Sequence, residues 1–151
     1  MIKMNLRVFV GAPFTKYMSS GKEFDDLLRD FLKRIYTFLS LKGHTIISAH
    51  IREDWGDRLM NPNECTVKDF EDISDCDLFL VFPGNSCGVH IELGWASALN
   101  KHILICIKDN KYYSPLIYGL CSLSDAKLIR YSDETELLDK LSEAIAQYEN
   151  K

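Results

Sequence analysis

The stretch from Asp77 to Lys101, DLFLVFPGNSCGVHIELGWASALNK, constrains the chain more than any other. It opens on an apolar run, Leu78 to Phe82, which is too short for a buried helix and suits a parallel strand covered on both faces. Pro83-Gly84-Asn85-Ser86 breaks the run as a turn. The chain then resumes with helical character and holds one acid, Glu92, among Val89, Ile91, Leu93 and Trp95. A strand, a turn with Gly and Ser, and a helix carrying a carboxylate in its early turns can cradle an anion beside a nucleophile.

The remaining segments repeat the strand-then-helix alternation. Leu6 to Gly11 reads as a first strand, and the apolar residues between Lys22 and Leu41 recur at three- and four-residue intervals as one buried helix face ending near Gly43. Thr45 to Ala49 is the expected second strand, followed by a polar loop containing His50, Arg52, Trp55 and Arg58. Asn63 to Ser74 reads as a short helix with Val67, Phe70 and Ile73 facing inward, which puts Asp69 on another side. Ile103 to Ile107 and Leu128 to Tyr131 complete the strands, Pro115 to Leu120 reads as a short helical turn, and Leu137 to Tyr148 marks a closing helix.

This order predicts one α/β domain over residues 1–151: a flavodoxin-like, five-stranded parallel sheet in the order 2-1-3-4-5, with helices on both faces. In that order the crossovers after strands one and three leave in opposite directions and open a crevice at their carboxyl ends. Gly11 to Phe14 and Gly84 to Gly88 should therefore face each other. The loop from Pro13 to Lys22 reads either as solvated surface or as a binding loop, in which an aromatic stacks on a planar ligand while Lys16 or Lys22 approaches an anion. Trp55 either covers a ligand or packs on the core.

Composition limits the partners. The 18 Lys and Arg against 22 Asp and Glu give a net charge of −4, which excludes a global basic field and argues against duplex nucleic acid. No apolar run approaches the roughly 20 residues that span a bilayer, and no signal-peptide pattern opens the chain, so a cytoplasmic protein is expected. Five cysteines without a CxxC pair indicate neither a disulfide framework nor a zinc site, and no metal or cofactor is expected. Cys87 sits in the proposed cradle with only His90 as an activating neighbour, so it ranks behind Glu92 as a nucleophile.

Taken together, GAPF, the D(x)7D pair of Asp69 and Asp77, and SxGxxxELGxA from Ser86 onward resemble the nucleoside 2-deoxyribosyltransferase family, and within it the nucleoside 5′-monophosphate N-glycosidases. The resemblance implies Glu92 as nucleophile, Asp69 as an acid assisting at the sugar or base, and Ser86 with Gly88 at the phosphate. It also implies base contact by Phe14, a less defined contribution from His50, and a homodimer in which Ser114, from SPLIYG, reaches the neighbouring site. The transferases carry an acid where Ser86 stands, and a carboxylate there would repel a phosphate dianion, so Ser86 favours a nucleotide substrate. The first loop lacks the arginine-rich phosphate contact of some relatives, leaving Lys16 or Lys22 for that role. The reaction so implied is hydrolysis of a nucleoside or deoxynucleoside 5′-monophosphate through a glycosyl-Glu92 intermediate. Base exchange between nucleosides, NAD cleavage of the kind seen in TIR-type domains, and nucleotide sensing without turnover are the alternatives.

Overall fold

The computed structural model describes residues 3–14 and 24–150. Five strands, β1 (Arg7–Gly11), β2 (Thr45–Ile47), β3 (Leu78–Val81), β4 (His102–Lys108) and β5 (Ala126–Tyr131), form one parallel sheet in the order β2-β1-β3-β4-β5. The helices are α1 (Asp26–Leu41), α2 (Ala49–Arg52), α3 (Pro62–Asp75), α4 (Cys87–Ala98), α5 (Pro115–Gly119) and α6 (Glu134–Glu149). Among the described residues no helix is long and apolar enough to cross a membrane.

The period-2 geometry of a strand explains why its runs are apolar without alternation. Val8, Val10, Leu78, Leu80, Leu104 and Cys106 point into a core closed by α1 and α6. Their sequence neighbours Phe9, Phe79, Val81, Ile103, Ile105 and Ile107 point the other way, into a core closed by α3, α4 and α5. Phe9 and Phe79 are register partners and meet edge-to-face with centroids 5.4 Å apart. Asp77 fixes the start of this pairing, since its side chain accepts from the Arg7 backbone N–H at 2.7 Å while its own N–H donates to the Arg7 carbonyl at 2.8 Å.

Gly11 ends β1 where no side chain fits. A Cβ there would lie 2.8 Å from Cε2 of Phe79 and 3.0 Å from Cζ. Gly11→Ala should displace the Phe79 ring and destabilise the fold by about 1–3 kcal/mol, read as a lower denaturation midpoint with an unchanged m-value.

Three expected elements are corrected. The second strand stops at Ile47, because the Ser48 side chain accepts from the N–H groups of His50 and Ile51 and so caps α2. The polar loop therefore begins as a helical turn. The first helix begins at Asp26, with Asp25 accepting from Leu28 N–H at 2.8 Å. On α3, Val67 and Phe70 are exposed, and the buried residues are Asp72 and Ile73. The apolar spacing there misleads because the inner side of α3 carries Asp69 and Asp72 against a cationic partner, Arg52.

Candidate active site

A cavity of about 620 Å³ opens at the carboxyl ends of β1 and β3, walled by α2, α3 and α4. The end of β1 contributes Gly11 and, just beyond it, Phe14; α2 contributes His50; α3 contributes Asp69; and α4 with its cap contributes Ser86, Gly88 and Glu92. Helical spacing accounts for the last wall: Gly88, Glu92 and Trp95 follow each other at four and three residues and share one face.

Trp55 and Ser114 are placed elsewhere. Trp55, at φ 54°, packs behind the wall with its ring 5.4 Å from Phe24 and 5.6 Å from His50. Of its two expected positions, it takes the one on the core. Ser114 caps α5, accepting from Leu116 N–H at 3.3 Å, and does not line the cavity of its own chain. Lys16 and Lys22 lie outside the described residues.

Glu92 is half-buried and lines the cavity, with no hydrogen-bond or ion-pair partner among the described residues. Burial of its carboxyl pushes the pKa up to about 8, the neighbouring Asp69 adds to the rise, and Arg52 opposes it. Asp69 is held differently. Arg52 Nη2 donates to its Oδ1 at 2.6 Å, and no described group donates to its Oδ2. Burial still raises the Asp69 pKa, against the pull of Arg52. Two acids therefore share one cavity in unlike environments, one paired to a cation and one half-buried with no partner among the described residues.

His50 is a neutral support. Its Nε2–H donates to the Pro13 carbonyl at 3.0 Å, which leaves Nδ1 as a buried lone pair without a partner among the described residues. Burial pushes its pKa down to about 4, so it carries no proton to donate as a cation near neutrality. Its ring lies 4.8 Å from that of Phe14 and holds this aromatic at the cavity wall. At the opposite end, Ser86 accepts from Val89 N–H at 3.3 Å, which orients its hydroxyl at the start of α4. The first amides of α4, at Cys87 and Gly88, have no carbonyl one turn earlier to pair with and favour negative charge. Gly84, at φ 51°, makes the preceding turn, and a Cβ there would lie 3.0 Å from Cγ of Pro13.

Arg52, Glu53, Met60 and Cys65 belong to this neighbourhood without having been singled out in the sequence. Arg52 had one usable signal, its position just beyond the carboxyl end of a strand adjacent to β1. Among the described residues, no group of three or more His, Cys, Asp or Glu could hold a metal ion. The five cysteines are free thiols, with Cys76 and Cys106 buried and Cys87 exposed.

No family model matches the sequence, and no curated protein matches it. Solved structures do. The CMP N-glycosidase BcmB of Clostridium botulinum is 33% identical, with a TM-score of 0.69 over 90% of this chain and 98% of its own. BlsM is 27% identical, with a TM-score of 0.75 over 97% and 96%. A conserved protein of Enterococcus faecalis V583, 16% identical with a TM-score of 0.67 over 93% and 99%, shares the fold alone.

Proposed function

Because the chain belongs to the nucleoside 2-deoxyribosyltransferase-like family, with its nucleoside 5′-monophosphate N-glycosidase branch, we propose that it hydrolyses the bond between base and sugar in a nucleoside or deoxynucleoside 5′-monophosphate. The observation that carries this reading is the half-buried carboxyl of Glu92, without a partner among the described residues, in the same cavity as Asp69 and the start of α4. The likeness to a CMP N-glycosidase supports it.

In the first half-reaction, ionised Glu92 attacks C1′ and the C1′–N bond breaks with its electron pair going to the base nitrogen, which takes up a proton. Asp69 and Phe14 line the same cavity, which supports a role for Asp69 in steering the sugar or passing that proton and for Phe14 in contacting the base. In the second half-reaction, the oxygen of a water molecule attacks C1′ and gives up a proton to the Asp69 carboxylate, the ester to Glu92 breaks, and the Glu92 carboxylate is regenerated with free sugar 5′-phosphate as product. The α4 amides and the Ser86 hydroxyl suit the phosphate, and Ser114 would be supplied by the neighbouring subunit of a homodimer.

The test is base release from a panel of ribo- and deoxyribonucleotides, with matching nucleosides and NAD alongside. Release from a monophosphate, with kcat/KM rising with pH through about 8 as Glu92 ionises, is the expected result. Release from none of the monophosphates removes the assignment. Exchange of bases on unphosphorylated nucleosides, or nicotinamide release from NAD, would redirect it to those reactions.

A further inference from the structure

Arg52 stands at the centre of a largely buried ionic cluster, of which the reaction outlined above uses only Asp69. Its side chain is 17% exposed and is gripped on every side. Nη2 reaches Asp69 at 2.6 Å and Glu53 at 3.5 Å, Nη1 reaches Asp72 at 3.2 Å, and Nε lies 3.2 Å from the Met60 sulfur. Lys68 closes the outer end of the cluster on Asp72 at 3.0 Å. Glu53 is held in turn, accepting from Met60 N–H at 3.0 Å.

These partners divide by position. Asp72 anchors the guanidinium and is not part of the cavity lining, while Asp69 lines the cavity. A planar fork gripped at Asp72 leaves little freedom in where its other nitrogen points, and a carboxylate held through one oxygen has its second oxygen aimed as a consequence. In Asp69 that second oxygen, Oδ2, is the one without a donor among the described residues.

We infer that Arg52 is a positioning residue, which grips Oδ1 of Asp69 so that Oδ2 is presented as the acceptor for substrate beside Glu92. The inference rests on the N-glycosidase reading for its catalytic consequence and on geometry alone for the positioning. Charge follows from the same contacts. The titratable groups around Asp69 are Arg52 and Glu53 at the end of α2, Lys68 and Asp72 on α3, and Glu92 on α4, with His50, Cys65 and Cys87 also on the cavity wall. Arg52 and Lys68 are the cations among them. Without Arg52, Asp69 would face three carboxyl groups with no direct cationic partner, and its proton would bind more tightly.

Arg52→Met and Arg52→Lys test this in the full chain. Arg52→Met should lower kcat for base release about 100-fold with KM changed less than about threefold, because a displaced acid affects the transition state more than ground-state binding. In the substrate-free protein, carboxyl-carbon NMR should show the Asp69 titration moving to higher pH in Arg52→Met. Arg52→Lys, which restores the charge without the fork, should bring that titration back towards wild type while leaving kcat about tenfold low. A kcat within twofold of wild type and an unmoved Asp69 titration in Arg52→Met overturn the inference. If Arg52→Met does not fold, Arg52→Lys decides, and a wild-type kcat there overturns it. If the wild-type protein releases no base, the N-glycosidase reading fails, and the Asp69 titrations still decide whether Arg52 holds that carboxylate.

Discussion

Glu92→Gln should reduce base release by at least roughly 10⁴-fold, because the amide retains the shape of the side chain but cannot form the ester to C1′. Steady-state release of free base from the best monophosphate of the panel measures it, and a residual rate within tenfold of wild type would rule Glu92 out as nucleophile. The same substitution should make the protein more stable. A carboxyl whose folded pKa is raised from 4.5 to about 8 keeps a proton that the unfolded chain has already lost, so stability falls as pH rises between those values. At pH 7 the cost is roughly 2–3 kcal/mol, allowing for solvent at the open edge of the residue. Replacing Glu92 by a neutral isostere removes that cost and should raise Tm by roughly 5–10 °C at neutral or alkaline pH. Below about pH 4.5, where both states hold the proton, the difference should vanish. Loss of activity with gain of stability is the pattern that separates a residue kept for chemistry from one kept for folding.

Asp69→Asn should lower kcat roughly 100-fold or more, the usual scale for removing an acid–base group from a transition state. Its second effect has a defined sign. Asp69 is one of the two causes that hold the Glu92 pKa high, so neutralising it should let Glu92 ionise more easily and move the acid limb of kcat/KM to lower pH. A fall in kcat with the limb moved to lower pH places the two acids in electrostatic contact. A limb that stays where it is in wild type would mean that Asp69 does not act on Glu92. The fold should tolerate the change, since the amide oxygen can still accept from Arg52 Nη2.

Much of the architecture was legible because it is written in short-range periodicity. A strand buried on both faces needs an unbroken apolar run, and Leu78 to Val81 and Ile103 to Ile107 are such runs. Alternation of these runs with helical segments leaves few topologies, and the order 2-1-3-4-5 brings the ends of β1 and β3 together. Glu92 could be singled out for the same reason: an acid among four apolar neighbours conflicts with its surroundings wherever the helix packs.

Ionic pairing across elements was not legible. Val67 and Phe70 fit a helical stripe, yet α3 turns the stripe outward so that Asp69 and Asp72 meet Arg52, 17 and 20 residues away. Nothing in the spacing of Asp69 distinguishes a surface carboxylate from one gripped by a guanidinium. The chain by itself determined the number and order of the strands, which acid is out of place, and where the crevice opens, because these follow from local pattern and crossover handedness. Only the tertiary structure decided that Trp55 supports the wall from behind, that His50 is a neutral brace for Phe14, and that Arg52 holds one oxygen of Asp69 while no other described residue donates to the second. Those outcomes depend on distances between elements remote in sequence, which packing sets and periodicity does not encode.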